Sequence, residues 1–343
     1  MEKMILILDK EEYKLKEDEI KKVFKDNNIE IQIFYTKYED NLIRSVRNFK
    51  YIGSFLQHIF YWLKSFNYTL KILFSTKQNK IICINPIVGL FLGLLNFRKK
   101  REIILCGFLF ENKSNKLYLK IRKKISKCML NNIKYAVVYG SKEVNLYENM
   151  FSLKNKFKFV KYGIDYDTNR EYKGDLPNEF IFSGGGSNRD YSTLIKAYNL
   201  FRKENDTKLC IATKKSCIEN ENVENITVLN DVVLENFGDV IGKSKFMILS
   251  LKDQNISVGH QVLLQALKEN KIVLVNKIQA IEDYVDEGQV VFFESKNEVD
   301  LKNKMEYIIS NYIDVEERYK NNSSYYYNNY TFNELIKRII KLW

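Results

Sequence analysis

The chain alternates short apolar runs with longer stretches whose apolar residues recur at helical spacing. Met4–Leu8 predicts a strand, Glu17–Asp26 an amphipathic helix and Ile29–Phe34 a second strand. Residues 41–75 predict one or two aromatic, basic helices, with His58 on a packed or solvated face. The longest apolar stretch, Ile81–Phe97, is 17 residues. Asn85-Pro86 splits it into a strand (Ile81–Ile84), a turn and a short helix (Val88–Leu95) that fits either a core or a bilayer surface. Strand Glu102–Cys106, helix Lys116–Leu130 and strand Tyr135–Val138 follow, then a helix capped at Ser141 and strand Lys158–Val160.

Gly163–Asn178 is polar, contains Pro177 and reads as a linker. Alternation resumes with strands at Glu179–Phe182, Lys208–Ala212, Ile226–Leu229, Phe246–Ser250, Ile272–Val275 and Val290–Phe293. The chain is helical from Leu301, and Phe332–Trp343 forms a final helix. Strands alternating with helices predict an α/β protein with parallel sheets covered on both faces. A length of 343 residues accommodates two such domains, each with its own core.

Charge divides the chain further. Residues 1–160 hold 31 Lys and Arg against 15 Asp and Glu, a net of +16; residues 161–343 hold 24 against 28, a net of −4. No acidic residue occurs between Asp40 and Glu102, a span holding Phe55, Phe60, Tyr61, Trp62, Phe66 and Tyr68. With Arg98–Arg101 and Arg122–Lys124, this composition fits an anionic membrane surface, and it fits nucleic acid or a solvated basic face as well. No nucleic-acid recognition module is visible, so nucleic acid is not an expected partner. The five Cys form no CxxC pair and read as buried free thiols; with only His58 and His260, a His-rich metal site is excluded. The N-terminal apolar run is too short for a signal peptide, so a cytoplasmic location is expected.

Three loops of the second half follow strands, where parallel sheets bind ligands. The first is Ser183–Arg189: Gly184, Gly185 and Gly186 allow a close backbone approach to an anion, and Arg189 adds a cation at a helix start. The second, Thr213–Ser216, carries Lys214 and Lys215. The third, Asn255–Gln261, opens the helix Val262–Leu267 with Ser257, Val258, Gly259, His260 and Gln261. His260 suits a phosphate or a base, and Gln265 a ribose hydroxyl.

This order of residues resembles GT-B glycosyltransferases, above all the family 4-like enzymes of bacterial surface polysaccharide synthesis. GHQVLLQALKENKIVLVNKIQAIEDYV carries the likeness, with Lys161–Asp165 at the domain junction. The resemblance implies two Rossmann-like parallel-sheet domains facing across a cleft. Residues 1–163 would bind the acceptor and face the membrane, 164–326 would bind a nucleotide sugar, and 327–343 would be a helix packing back on the first domain. It implies that Arg189 with Lys214 or Lys215 stabilises a leaving diphosphate without a metal or other cofactor, and that the backbone of Val258–Gln261 receives the phosphates.

One departure stands out. The family's two glutamates, eight positions apart, correspond here to Ser257 and Gln265. Inverting relatives lacking the pair use a carboxylate of the first domain as base, a role that Glu111 is expected to fill. The expected activity is transfer of a hexose, from a UDP-sugar, to a lipid-linked saccharide, lipopolysaccharide or capsule acceptor at the inner face of the cytoplasmic membrane. The alternatives are a nucleotide-sugar 2-epimerase and a catalytically degenerate GT-B subunit that scaffolds a partner.

Overall fold

The computed structural model describes the chain apart from residues 10, 38–52, 111–115, 166–169 and 233. It divides into two compact units, Met1–Val160 and Lys161–Trp343. In the first, the elements run β1 (Glu2–Leu8), α1 (Glu17–Lys25), β2 (Ile29–Tyr35), α2 (Gly53–Ser75), β3 (Lys80–Cys83), α3 (Pro86–Leu95), β4 (Glu102–Cys106), α4 (Lys116–Asn131), β5 (Tyr135–Val138), α5 (Ser141–Phe151) and β6 (Phe157–Phe159). The strands form one parallel sheet in the order β2-β1-β3-β4-β5-β6. Residues 41–52 of the expected aromatic helices lie outside the described residues.

The apolar runs are continuous rather than alternating because both sheet faces are covered. Met4 through Leu8 are all buried, and so are Ile81–Cys83 and Ile103–Cys106. Burying each such Ile or Leu contributes on the order of 1.5–3 kcal/mol. The short apolar helix is α3, and it belongs to the core: Val88, Phe91 and Leu92 are buried. Asn85-Pro86 is its start rather than a turn before it. Asn85 Oδ1 accepts from the Ile87 and Val88 amides, each at 3.2 Å, and Pro86 occupies the first helical position. A similar shift corrects the expected cap of α5. Ser141 is its first helical residue, Gly140 its cap, and the Glu143 carboxylate accepts from the Gly140 amide at 2.8 Å.

The second unit runs β7 (Phe180–Gly184), α6 (Tyr191–Phe201), β8 (Lys208–Ala212), β9 (Ile226–Leu229), α7 (Phe237–Lys243), β10 (Met247–Leu249), α8 (His260–Lys268), β11 (Val273–Asn276), α9 (Gln279–Glu282), β12 (Val291–Phe293), α10 (Glu298–Ser310), α11 (Tyr312–Tyr319), α12 (Asn322–Asn329) and α13 (Phe332–Ile340). Its parallel sheet has the order β12-β11-β10-β7-β8-β9. The chain thus starts at the centre, builds β8 and β9 on one side, then crosses to build β10, β11 and β12 on the other. This is doubly wound topology, with its switch point between β7 and β10. The described part of the expected linker lies on this unit: the Tyr172 amide donates to Asp239 at 2.8 Å and its hydroxyl to Asp231 at 2.9 Å. The final helix, α13, packs on residues 163–165, where the Phe332 amide donates to Asp165 and a Cβ on Gly163 would meet the Thr331 carbonyl at 2.4 Å.

The cysteines are not all buried. Cys83, Cys106 and Cys210 are, but Cys217 is half-buried and Cys128 exposed, because it lies on the outer side of α4.

Candidate functional site

At the switch point, the loops leaving β7, β8 and β10 lie side by side because their strands do. The β7 loop is the most constrained. Its three glycines are not equivalent. A Cβ on Gly184 would meet the Phe237 ring at 2.7 Å. Gly185 has φ +117°, and a Cβ there would sit 2.5 Å from the Arg189 guanidinium. Gly186 has open space where a side chain would go.

Arg189 folds back over this turn. Its Nε donates to the Gly184 carbonyl and one terminal nitrogen to the Ser187 carbonyl, each at 2.9 Å. Two of its five N–H donors are thereby used. Burial lowers the proton affinity of the guanidinium, which nevertheless stays charged. Its backbone bridges Leu251, the Asp190 amide donates to Ser250, and the Lys252 amide donates to Asn188, so the turn is fastened to the exit of β10. Asp190 caps α6 through Thr193.

The β8 loop is joined to the same turn. The Gly185 carbonyl accepts from Tyr191 Oη at 2.6 Å and Thr213 Oγ at 3.0 Å. Lys214 and Lys215 follow Thr213 directly, both exposed, at the start of a short 3-10 helix, Lys215–Cys217. The β10 loop is pinned by buried Ile256 and Val258. Gly259, at φ +74°, closes it and caps α8; a Cβ there would press on Leu251 at 2.9 Å. The first turn of α8 therefore presents amides without intrahelical partners beside the cationic turn.

His260, the first residue of α8, is buried and stacks on Tyr284 at 4.1 Å. Its Nε2 lies 2.8 Å from the Ala280 carbonyl, which makes Nε2 the protonated nitrogen. Burial pushes its pKa down to about 4. The imidazole is thus neutral at pH 7 and engaged away from the loop, so His260 offers the loop its backbone. Tyr284 in turn stacks on Tyr330, and its hydroxyl accepts from the Tyr162 amide at 2.7 Å. Gln261 is exposed, with Nε2 3.3 Å from the Tyr162 hydroxyl. Ser257 lies half-buried in the loop. Gln265 is buried, and its Oε1 has no hydrogen-bond partner among the described residues. Glu111 lies outside the described residues.

Thr213, the first residue of the second loop, ties that loop to the glycine turn, and Tyr191 and Asn276 also belong to the site, although no sequence motif points to those two. Asn276 ends β11 and clamps Leu251 from both sides: Oδ1 accepts from its amide at 2.8 Å and Nδ2 donates to its carbonyl at 2.9 Å. Its one signal in the sequence is a single polar residue closing an apolar strand.

No protein-family model matches the chain, and no curated protein matches it by sequence. Solved structures do match along its whole length. A glycosyltransferase from Rickettsia africae is 14% identical with a TM-score of 0.63, covering 99% of this chain and 97% of its own. HepE from Anabaena, solved with UDP-glucose, is 11% identical with a TM-score of 0.64, over 99% and 98%. Sucrose-phosphate synthase from Thermosynechococcus elongatus is 10% identical with a TM-score of 0.66, over 100% and 98%. With two doubly wound sheets, the fold is GT-B.

Proposed function

We propose that the chain is a glycosyltransferase that moves a sugar from a UDP-sugar to a saccharide or lipid-linked acceptor at the cytoplasmic face of a membrane. The observation that carries this reading is the convergence of the β7, β8 and β10 loops at the second unit's switch point. Arg189, Lys214, Lys215 and the first amides of α8 share that end of the sheet. Such a set of donors suits a diphosphate whose charge grows as the sugar leaves. The likeness to HepE, solved with UDP-glucose, supports the choice of donor.

In this reading the carboxylate of Glu111 takes the proton of the acceptor hydroxyl as that oxygen attacks the anomeric carbon. The cations hold the departing diphosphate, so the chemistry proceeds without a metal. Gln265 bonds a ribose hydroxyl through the Oε1 that lacks a partner among the described residues.

A thermal-shift screen of nucleotides and nucleotide sugars tests the donor. A ligand at a hundred times its Kd stabilises the folded state by about 2.7 kcal/mol. UDP and one UDP-sugar are expected to raise Tm, and no rise with any nucleotide sinks the assignment. With the donor identified, product analysis without acceptor distinguishes transfer from epimerisation.

A further inference from the structure

We propose that α4 is an interfacial anchor that seats the first unit on an anionic lipid bilayer. The inference gives the membrane partner of the proposed transferase a definite surface. Lipid binding tests it without reference to sugar transfer.

Helix α4 has three sides. One is buried, through Ser126, Met129 and Leu130. A second carries Leu117, Ile121 and Ile125, spaced four apart and therefore stacked along one face. These are 68%, 51% and 44% exposed, an unusual row of large apolar residues to leave in water. The third carries Lys116, Lys120, Lys123, Lys124 and Lys127, all exposed. The helix contains no acidic residue. An apolar stripe flanked by a cationic one is the pattern of a helix lying in the plane of a bilayer interface.

A second group of exposed apolar and basic residues follows the neighbouring helix, α3. The end of that helix lies against α4, where Asn132 donates to the Gly93 carbonyl and Asn96 to the Asn132 carbonyl. Beyond it, Phe97 is 69% exposed and Arg98, Lys99 and Lys100 are exposed too. No helix among the described residues is long and apolar enough to cross a membrane, so the contact is one of lying on the surface.

Charge selects the occupant. A second copy of this chain would bring one strongly basic face against another. Nucleic acid would satisfy the lysines but leave Leu117, Ile121 and Ile125 in water. Anionic lipid satisfies both sides of the helix.

The experiment is flotation of the full chain with vesicles of phosphatidylglycerol and phosphatidylcholine, against phosphatidylcholine alone. The wild type is expected to bind the anionic vesicles at least about tenfold more tightly, with binding weakened by salt. The combined variant Leu117→Ser, Ile121→Ser, Ile125→Ser should bind them at least about tenfold more weakly, because the lost contact is apolar burial. Lys120→Gln, Lys123→Gln, Lys124→Gln should lose about fivefold per cation on anionic vesicles and little on neutral ones. Both variants should keep the wild-type Tm and any nucleotide-induced shift. Equal wild-type binding to both vesicles, or undiminished binding by the serine variant, overturns the proposal. So does a dimer dispersed by Ile121→Ser, or binding to RNA or DNA tighter than to vesicles and lost with the lysines.

Discussion

The two units share one architecture and differ in what their surfaces expose. The first, net +16 over residues 1–160, leaves apolar side chains of α4 in water among lysines. The second, net −4, holds Arg189 by hydrogen bonds in a turn that Thr213 ties to the neighbouring loop. A wide field of solvated cations suits a planar, repetitive surface, where no single residue needs a fixed position. A turn held by Arg189, Thr213 and Tyr191 suits one anion of fixed shape. The difference lies in how rigidly charge is held, and the opposite net charges follow from it only in part.

Separation of the two roles is therefore the sharpest test. Arg189→Ala should lower turnover by about 10²–10³-fold, the range for removing one group that stabilises developing charge. Vesicle binding by the same variant should equal that of the wild type. Arg189→Lys should restore little, since an ammonium cannot reproduce the fork that spans the Gly184 and Ser187 carbonyls. If Arg189→Ala weakens vesicle binding as much as nucleotide binding, the division of labour fails.

The next effect belongs to pH. His260 has its pKa lowered from 6.5 to about 4 by burial. Above pH 6.5 both folded and unfolded states are neutral there, and the residue costs nothing. Between pH 6.5 and about 4 only the unfolded state takes the proton, so stability falls with acidification, by about 3 kcal/mol at the lower end. Denaturant unfolding of the wild type and His260→Gln across this range checks the sign. The stability gap between them should narrow as pH falls; a gap independent of pH shows that the imidazole titrates normally.

A smaller effect tests whether the first unit has a core of its own. A Cβ on Gly93 would lie 2.4 Å from the Met129 carbonyl oxygen and 2.9 Å from Ile133. Gly93→Ala should therefore push α3 from α4 and destabilise by about 1–3 kcal/mol. Because the loss falls in the first unit, nucleotide-induced stabilisation of the second should persist. Calorimetry that shows the donor response lost along with the first unit's stability would mean that the two cores unfold as one.

Much of this architecture is legible in the sequence. Parallel strands covered on both faces are continuous apolar runs, so β1, β3, β4, β7, β8 and β11 stand out from Met4–Leu8 onward. The loops after β7, β8 and β10 are legible because glycine and cations interrupt those runs abruptly. Strand order is not, since it depends on which side of β7 the chain returns to after β9. Nor does composition separate Gly185, which needs a positive φ, from Gly186, which does not. The cap at Gly140 and the side of α4 that stays in water share that limit. Local spacing shows an amphipathic helix, while the packing around it decides which stripe is buried.

Gln265 carries the smallest and most discriminating prediction. Its Oε1 has no partner among the described residues; a buried acceptor left so costs about 1–3 kcal/mol, and replacing such a group by an apolar one of similar shape is neutral or stabilising. Gln265→Met keeps the length of the side chain and removes the amide. The variant without ligand is expected to match or exceed the wild-type Tm, by up to about 1 kcal/mol in stability. If the orphaned oxygen serves a ribose hydroxyl, the same variant should bind UDP about five- to tenfold more weakly, the loss of one hydrogen bond of about 1 kcal/mol. Deoxygenated ribose analogues should then bind wild type and variant alike. Opposite signs for stability and affinity mark a residue kept for its ligand. A loss of stability together with unchanged affinity would instead make Gln265 an ordinary part of the core and remove it from the site.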